Sequence, residues 1–566
     1  MAGEAPFSHR TRAAALESMQ AQPVDLLVIG GGITGAGIAR DAALRGFRIA
    51  LVDSSDFGAG TSSRSSRLIH GGLRYLEHYE FGLVLEASRE RRVLLNIAPH
   101  LVRPMRFLFP VYRGGRVSPW KLRAGMWLYD LLGGRHLHFH RWLSPQRARD
   151  AEPALRDKDL RGAALYWDAQ TDDARLVLAT LRGAAQAGAL VANYTAVTSF
   201  IRAEGRVVGA VIRDSLSGEE RIVRGLTVVN ATGPWVDRVR RLDTPTAAPL
   251  LRLSKGAHAI LRRARLGLHD AVTIASPIDG RVMFLLGWND LAYIGTTETE
   301  EDVTPEQVRA TGEDVTYLLR SANAIFPRAR LTPNDVMATW AGLRPLLVPT
   351  KAVSADRVPR EYRIVESPTG LITIAGGKLT TFRVMGRDVV DLVARRLKLL
   401  DGRAVPRRAA TDELPLPGGE IAALDVMMQS VRMKELPQTT ARHLVASYGT
   451  ESAAILNLVT KNKVLGGPLV TGRPEIRAEV VYAVEREMAL RLTDVLIRRL
   501  HLFYEDPQHG AGAAANVARK MAELLGWDST REDDEIGGYL EEVRRSREFL
   551  REVGRPSQVA RTSQGG

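Results

Sequence analysis

The chain has 566 residues, an ordinary apolar fraction of 45%, a formal net charge of +14 and no cysteine. That length is roughly three or four domain equivalents. The lack of cysteine excludes disulfides, thiolate metal sites, cysteine-ligated iron–sulfur clusters and thiolate-linked prosthetic groups, and no metal site is expected. The positive charge suits nucleic acid, an anionic membrane surface or an anionic substrate. It is spread along the chain, and no helix-turn-helix, zinc-finger or RNA-binding signature accompanies it, so nucleic acid is not expected.

Met1 to Gln22 is polar and alanine-rich, without the apolar stretch of a secretory signal. It reads as an N-terminal arm or a short helix. No apolar run reaches the roughly 20 residues that cross a bilayer. Val24 to Asp53 is the most informative stretch. Val24–Ile29 is an apolar run of buried-strand length, and Gly30, Gly32 and Gly35 follow at G-x-G-x-x-G spacing. Ile38, Ala39, Ala42 and Ala43 recur at helical spacing, Phe47–Val52 is a second apolar run, and Asp53 ends it. Gly30 allows a tight turn, Gly32 lets the backbone approach a pyrophosphate, and Gly35 lets helix and strand pack closely. Amides at the helix start would receive phosphates, and Asp53 a ribose diol. The context of strand, helix and terminal acid predicts dinucleotide binding. It does not separate NAD from FAD, although its place ahead of hundreds of residues leans towards FAD.

Ser54 to Tyr79 follows, with the hydroxyl-rich run Thr61, Ser62, Ser63, Arg64, Ser65, Ser66 and then Gly71-Gly72. It suits a solvated loop and a polar ligand-contacting segment equally. A helical pattern resumes over Leu73–Asn96, a strand is predicted at Phe107–Tyr112, and Trp120–Leu132 mixes aromatic and apolar residues with Lys121 and Arg123. Asp172–Ala187 reads as a helix, and Leu190–Ala196 and Val207–Asp214 as strands. A further strand runs into Ala231-Thr232-Gly233, where Pro234 can open a helix. Leu253–Leu261, Arg281–Trp288 and Leu291–Thr296 predict a mainly antiparallel domain, and Val336–Leu347 contains TWAGLRPLL. In Gly370–Met385 a buried strand enters Gly376-Gly377 and a helix starts near Leu379, its positive end able to face negative charge. Asp401–Glu420 is rich in Pro, Gly and charge and reads as a linker. Helical patterning continues over 421–550, ahead of a disordered tail at 551–566.

The three separated segments, the N-terminal fingerprint, Asn230-Ala231-Thr232-Gly233 and the strand–GG–helix at 370–385, resemble FAD-dependent oxidoreductases of the D-amino-acid-oxidase-like class. SSRLIHGGLRYLEHYEFGLV, DDARLVLA, VNATGPWVD, AGLRPL and AGGKLTTFR resemble, more closely, the aerobic glycerol-3-phosphate dehydrogenase family. The resemblance covers about 23–400 and continues more weakly through LPGG at 416–419 and the helical C-terminal part. It implies an α/β protein: a Rossmann-like FAD-binding domain (parts about 23–100, 165–240 and 365–400), a mainly antiparallel substrate domain (about 101–164 and 241–364), and a helical C-terminal domain. It also implies noncovalent FAD, oxidation of sn-glycerol 3-phosphate to dihydroxyacetone phosphate, and electrons passed to membrane quinone. The implied setting is the cytoplasm, peripherally bound to the inner face of the cell membrane. No EF-hand loop is present, which favours the shorter bacterial-type form, and a homodimer is left open.

The resemblance places Thr61, Ser62 and Ser66 along the flavin, with Gly233, Gly376, Gly377, Leu379 and Thr380 as further cofactor contacts. The amides of Lys378 to Thr380 would stabilise negative charge on the reduced flavin. A phosphate dianion calls for Arg or Lys, and Arg74, Arg344, Arg360 and Lys378 sit inside apolar or glycine-rich motifs. For the proton acceptor, histidine is poised near neutral pH, which makes His258 and His70 the candidates, with Lys378 or a water as alternatives. Two rivals share these motifs: an oxidase that gives its electrons to oxygen, and a flavin-binding scaffold without activity.

Overall fold

The structure, a computed structural model, describes residues 7–76, 79–133, 138–300, 304–348, 361–402, 408–420, 426 and 436–553. For Arg74 and Tyr75 it describes the backbone alone. Arg360, Arg135 and the predicted tail beyond Val553 lie outside the described residues.

Among the described residues seventeen strands form two sheets. In chain order they are β1 Val24–Ile29, β2 Ile49–Val52, β3 Leu68–Ile69, β4 Val102–Tyr112, β5 Arg141–Leu143, β6 Leu160–Thr171, β7 Leu190–Ala192, β8 Thr195–Ala203 and β9 Arg206–Asp214. They continue as β10 Glu220–Asn230, β11 Leu251–Arg262, β12 Ala271–Ala275, β13 Val282–Trp288, β14 Leu291–Gly295, β15 Val336–Leu347, β16 Tyr362–Glu366 and β17 Ile372–Gly376.

The first sheet runs β16-β17-β10-β1-β2-β7, with the β8–β9 ribbon carried on β10. Its centre, β17, β10, β1, β2 and β7, is parallel. Parallel strands are covered on both faces, and all six residues of β1 are buried. The helices Ile33–Leu44 and Phe382–Asp401, each following a glycine turn, pack together on this sheet. They meet at small residues: a Cβ on Gly386 would lie 2.6 Å from the carbonyl carbon of Gly37. The second sheet runs β15-β11-β14-β13-β12-β4-β6-β3, with β5 on β6, and is antiparallel except between β12 and β4. The predicted α/β core with a mainly antiparallel second sheet is therefore present.

Three segments are more firmly seated than their composition suggests. The N-terminal stretch takes the helical alternative, over His9–Ala21. Ser8 caps that helix, and Arg12 is buried with its guanidinium 2.8 Å from Asp214 and bonded to the Asn193 carbonyl. The segment read as a linker is pinned where it is described, between 408 and 420. Arg40 donates to the carbonyls of Thr411 and Leu414, and the Leu416 amide donates to Ile97 O at 2.7 Å. The helical C-terminal part, Gln438–Tyr448 onwards, shares one apolar core with the second sheet. In that core Val484, Leu496, Val517 and Met521 join Phe107, Tyr166 and Trp340.

The helix over the aromatic segment spans Pro119–Gly133. Leu122, Met126 and Tyr129 point inward, whereas Trp120, Trp127 and Leu131 are 69%, 66% and 79% exposed. Tyr79, Phe81 and Leu85 are exposed at the start of the neighbouring helix Phe81–Ile97, and Phe139 follows beyond the aromatic helix. Among the described residues no helix is long and apolar enough to cross a membrane.

Candidate active site

One continuous cavity of about 590 Å³ lies between the two sheets, within the usual range of ligand sites. One end is built by the turns that leave β1, β10 and β17. Gly30 has φ of +109°, and a Cβ there would stand 2.7 Å from Ala231 O. The cavity wall is thus bare backbone where the two turns meet. Gly32, Gly233, Gly376, Gly377, Leu379 and Thr380 line the same space. Gly35 does not line it. A Cβ on Gly35 would lie 1.9 Å from Gly30 O, so its part is to let the helix close on the turn. Asp53 lines the cavity, accepting from the Gly31 amide at 2.6 Å and the Ser55 amide at 2.9 Å. Burial pushes its carboxyl up to about 6, partly offset by those two amides.

The hydroxyl-rich run forms the side wall, and its hydroxyls have protein partners. Ser62 Oγ accepts from the Ile33 amide at 3.0 Å, and Thr61 donates to Leu343 O. Ser66 Oγ is 2.8 Å from Nε2 of His258. The run therefore ties the glycine turn of the first sheet to β15 and β11 of the second.

The other end of the cavity is one face of the β11–β15 pair. Side chains alternate along a strand: Ala257, Ala259, Ala341 and Leu343 point into the core, so His258, Trp340, Gly342 and Arg344 share the cavity face. His258 stands opposite Trp340 on β15 and Gly295 on β14. Its ring stacks on Trp340 at 4.9 Å and 22°. Two glycines clear the room: a Cβ on Gly295 would lie 1.9 Å from His258 Cδ2, and one on Gly256 2.3 Å from Arg344 Nη2. The Arg344 guanidinium is aimed by Thr296 Oγ1 at 2.8 Å and by the carbonyls of Thr297 and Lys255. Burial, then Arg344, then Arg67 push the His258 imidazole down to about 3.

Of the predicted polar candidates, His258, Arg344, Lys378 and His70 all line this cavity. His70 enters beside the second glycine turn, its amide 3.4 Å from Thr380 Oγ1. Arg74 is the second residue of the short helix Leu73–Leu76, and its side chain, like Arg360, is outside the described residues. The sequence reading missed Gly256, Gly295 and Thr296, which shape the pocket for Arg344 and His258. It also missed Trp340 and Arg67, which back the histidine. The signal for Trp340 was present in TWAGLRPLL, two and four residues before Gly342 and Arg344 in a period-2 strand. Among the described residues no group of three metal-ligating side chains is assembled.

Comparison with known proteins agrees with this geometry. The family described as FAD dependent oxidoreductase matches residues 25–392, and the C-terminal domain of alpha-glycerophosphate oxidase matches 409–532. Glycerol-3-phosphate dehydrogenase 2 of Mycobacterium tuberculosis is 37% identical over 536 residues, covering 94% of this chain and 90% of that protein. The aerobic glycerol-3-phosphate dehydrogenase of Staphylococcus haemolyticus is 34% identical over 548 residues, covering 94% and 97%. The crystal structure of the glycerol-3-phosphate dehydrogenase from Bacillus halodurans complexed with FAD superimposes with a TM-score of 0.81 at 32% identity, covering 96% of this chain and 99% of that one. The bare-backbone cradle, the helix start and Asp53 fit FAD at this site.

The buried histidines give a pH signature. In the fold His258 takes a proton only near pH 3, against 6.5 for an ordinary imidazole, and His100 behaves alike. Between those values the unfolded chain binds the extra protons. The contribution of these two histidines to stability is therefore full above pH 6.5 and falls as pH drops through the window. One such group contributes at most about 1.4 kcal/mol per pH unit. Urea unfolding of His258→Asn is expected to depend less steeply on pH across this window than the parent; equal slopes would mean that His258 titrates normally.

Proposed function

The chain belongs to the FAD-dependent oxidoreductase family, and we propose how its own residues serve the reaction of the glycerol-3-phosphate dehydrogenases it is similar to. It oxidises sn-glycerol 3-phosphate to dihydroxyacetone phosphate in an FAD-dependent step. FAD, when bound, accepts the hydride from the carbinol carbon, which leaves binding, orientation and proton removal to the protein. The observation that carries the assignment is the placing of His258 and Arg344 on one face of β11–β15, over the cavity whose far end is the glycine cradle.

In this reading Gly30, Gly32, Asp53, Ser62, Gly233 and Gly376 seat the dinucleotide. The amides of Lys378 to Thr380, at the start of the short 3-10 turn Leu379–Thr381, would stabilise negative charge on the reduced flavin. Arg344 takes the substrate phosphate in a guanidinium fork. Lys378, Arg74 and Arg360 are the further cations for it. His258 takes the proton of the carbinol hydroxyl, while His70 and Lys378 shape the site beside it. The low basicity of His258 has a purpose here. Burial is the largest cause of that low basicity, and a phosphate dianion on Arg344 would offset the next largest, so the base strengthens in part when substrate is seated.

Electrons then leave for membrane quinone, and the protein docks on the lipid surface to reach it. Trp120, Trp127, Leu131 and Phe139 are exposed, as are Tyr79, Phe81 and Leu85 at the start of the neighbouring helix, and Lys121 and Arg123 are exposed on the aromatic helix itself. Aromatics at the boundary and flanking cations are what an interfacial surface needs. Met126, on the same helix, is buried beneath it and takes no part.

Two outcomes test the assignment. Arg344→Ala is expected to raise KM for glycerol 3-phosphate about 10- to 150-fold, the loss of a charge-assisted contact of roughly 1.5–3 kcal/mol, with FAD content unchanged. Arg344→Lys recovers only part, and an unchanged KM in the alanine variant refutes the role. On the lipid side, the protein is expected to sediment with anionic vesicles at low salt and to release in part at high salt. Replacing Trp120 and Trp127 by Ser and Lys121 by Glu weakens sedimentation while dye-coupled turnover persists. Parent-like sedimentation of that variant would move the docking surface elsewhere.

A further inference from the structure

The C-terminal helical part does more than cover the second sheet. We propose that its stretch Arg498–Glu505 is a positioning element, holding the active-site turn Thr61–Arg67 and, through Ser66 and Trp340, the ring of His258.

Four points along those eight residues hold the walls of the site, two on the first-sheet side at Asp56 and Asp172 and two on the second sheet at Trp340 and Trp288. Arg498 and Arg499 end a π-helical turn, Asp494–Arg499, and both bind the buried carboxylate of Asp56, three residues beyond Asp53. His501 Nε2 lies 2.8 Å from Asp172, whose other oxygen caps the helix Asp173–Gln186. The adjacent Asp173 takes the Ser65 amide at 3.0 Å and the Ser65 hydroxyl at 2.7 Å. Ser66, next in the chain, holds His258. Tyr504 sets its ring edge-on against Trp340 at 5.6 Å, on whose other contact His258 is stacked. Glu505 accepts from Trp288 Nε1 at 2.7 Å. The guanidinium of Arg67 lies 4.6 Å from Trp288, 5.1 Å from Trp340 and 5.8 Å from Tyr504, beside Asp173.

Plain docking would be served by apolar contacts alone. Here charges are buried at a desolvation cost and joined by directional bonds, which fix orientation rather than add stability. Arg67 itself sits at φ +51°, a left-handed conformation that a non-glycine residue keeps only when its surroundings hold it. The turn is thus over-determined from the C-terminal side, and the group it aims is the imidazole that faces the cavity.

The consequence is electrostatic as well as geometric. The titratable and charged groups that face His258 are Arg67 from the turn, Arg344 from β15 and Tyr293 from β14, with burial the largest influence. Loosening the Tyr504–Trp340 wall admits water, weakens that influence and moves the imidazole up towards its ordinary value.

The inference rests on the reading of His258 given above, and the test separates the two. Full-length, FAD-loaded Tyr504→Leu, Tyr504→Phe, Trp288→Phe and His258→Asn are compared with the parent for flavin reduction by glycerol 3-phosphate without oxygen, per bound flavin, across pH. Tyr504→Leu is expected to slow reduction about tenfold or more, with the acid limb of the rate profile moved to higher pH and KM changed less than kcat. Tyr504→Phe keeps the edge contact and restores both. Trp288→Phe, which removes the bond to Glu505 and shrinks the ring under Arg67, shifts the profile the same way by less, and decides the matter if Tyr504→Leu fails to fold. Parent-like rates and pH profiles in Tyr504→Leu and Trp288→Phe, beside a slow His258→Asn, overturn the positioning role alone, even if both variants melt earlier. Parent-like reduction in His258→Asn overturns the reading of His258 and this proposal with it.

Discussion

The architecture depends on how closely two helices can approach. The helix after Gly32 and the helix that starts at Phe382 meet where neither carries a side chain, at Gly37 and Gly386. Close-packed interiors do not yield to an added methyl group without displacement. That contact brings the Gly30 and Gly376 turns to the same cavity, although 346 residues separate them in the chain. The same device recurs at the reacting end, where Gly295 and Gly256 vacate the volume that His258 and Arg344 occupy. The site is shaped by absent side chains, and the charged residues are set into the spaces so made.

Local features were legible in the chain, and pairings were not. The fingerprint and Asp53 could be read because strand, turn and helix are contiguous, so their geometry follows from short-range rules. His258, Arg344 and Lys378 stood out as polar residues inside apolar or glycine-rich motifs, and each lines the cavity. That His258 and Arg344 share a face depends on the register of β11 against β15, set by contacts across some 80 residues of intervening chain. Gly256 and Gly295 carry no signal in the sequence, since the side chains they make room for become their neighbours only on folding. The hydroxyl run was read as ligand-facing. Thr61, Ser62, Ser65 and Ser66 line the cavity, and their hydroxyls also bond within the protein, to Ile33, Leu343, Asp173 and His258.

The aromatic helix illustrates the limit of composition. Its sequence offers Trp120, Met126, Trp127 and Leu128 as equivalent apolar residues, yet the helical period divides them. Met126 falls in line with Leu122 and Tyr129 on the core face, and Trp120 and Trp127 fall outside. The helix thus carries apolar residues on both sides, one side buried in the core and the other exposed. The segment before the C-terminal part is a similar case. Its Pro, Gly and charge suggested a loose linker, but Arg40 supplies donors to its carbonyls and fixes part of it to the first sheet.

The central claim is that one cavity seats FAD at the glycine cradle and glycerol 3-phosphate at the His258–Arg344 end. The most direct measurement is the visible flavin spectrum of the purified full-length protein, recorded without oxygen before and after adding glycerol 3-phosphate. The account predicts a bound, extractable FAD whose absorption bleaches on adding the phosphate ester and persists on adding the same concentration of glycerol. A well-folded protein that carries no flavin, or whose flavin is reduced equally by glycerol, would contradict it.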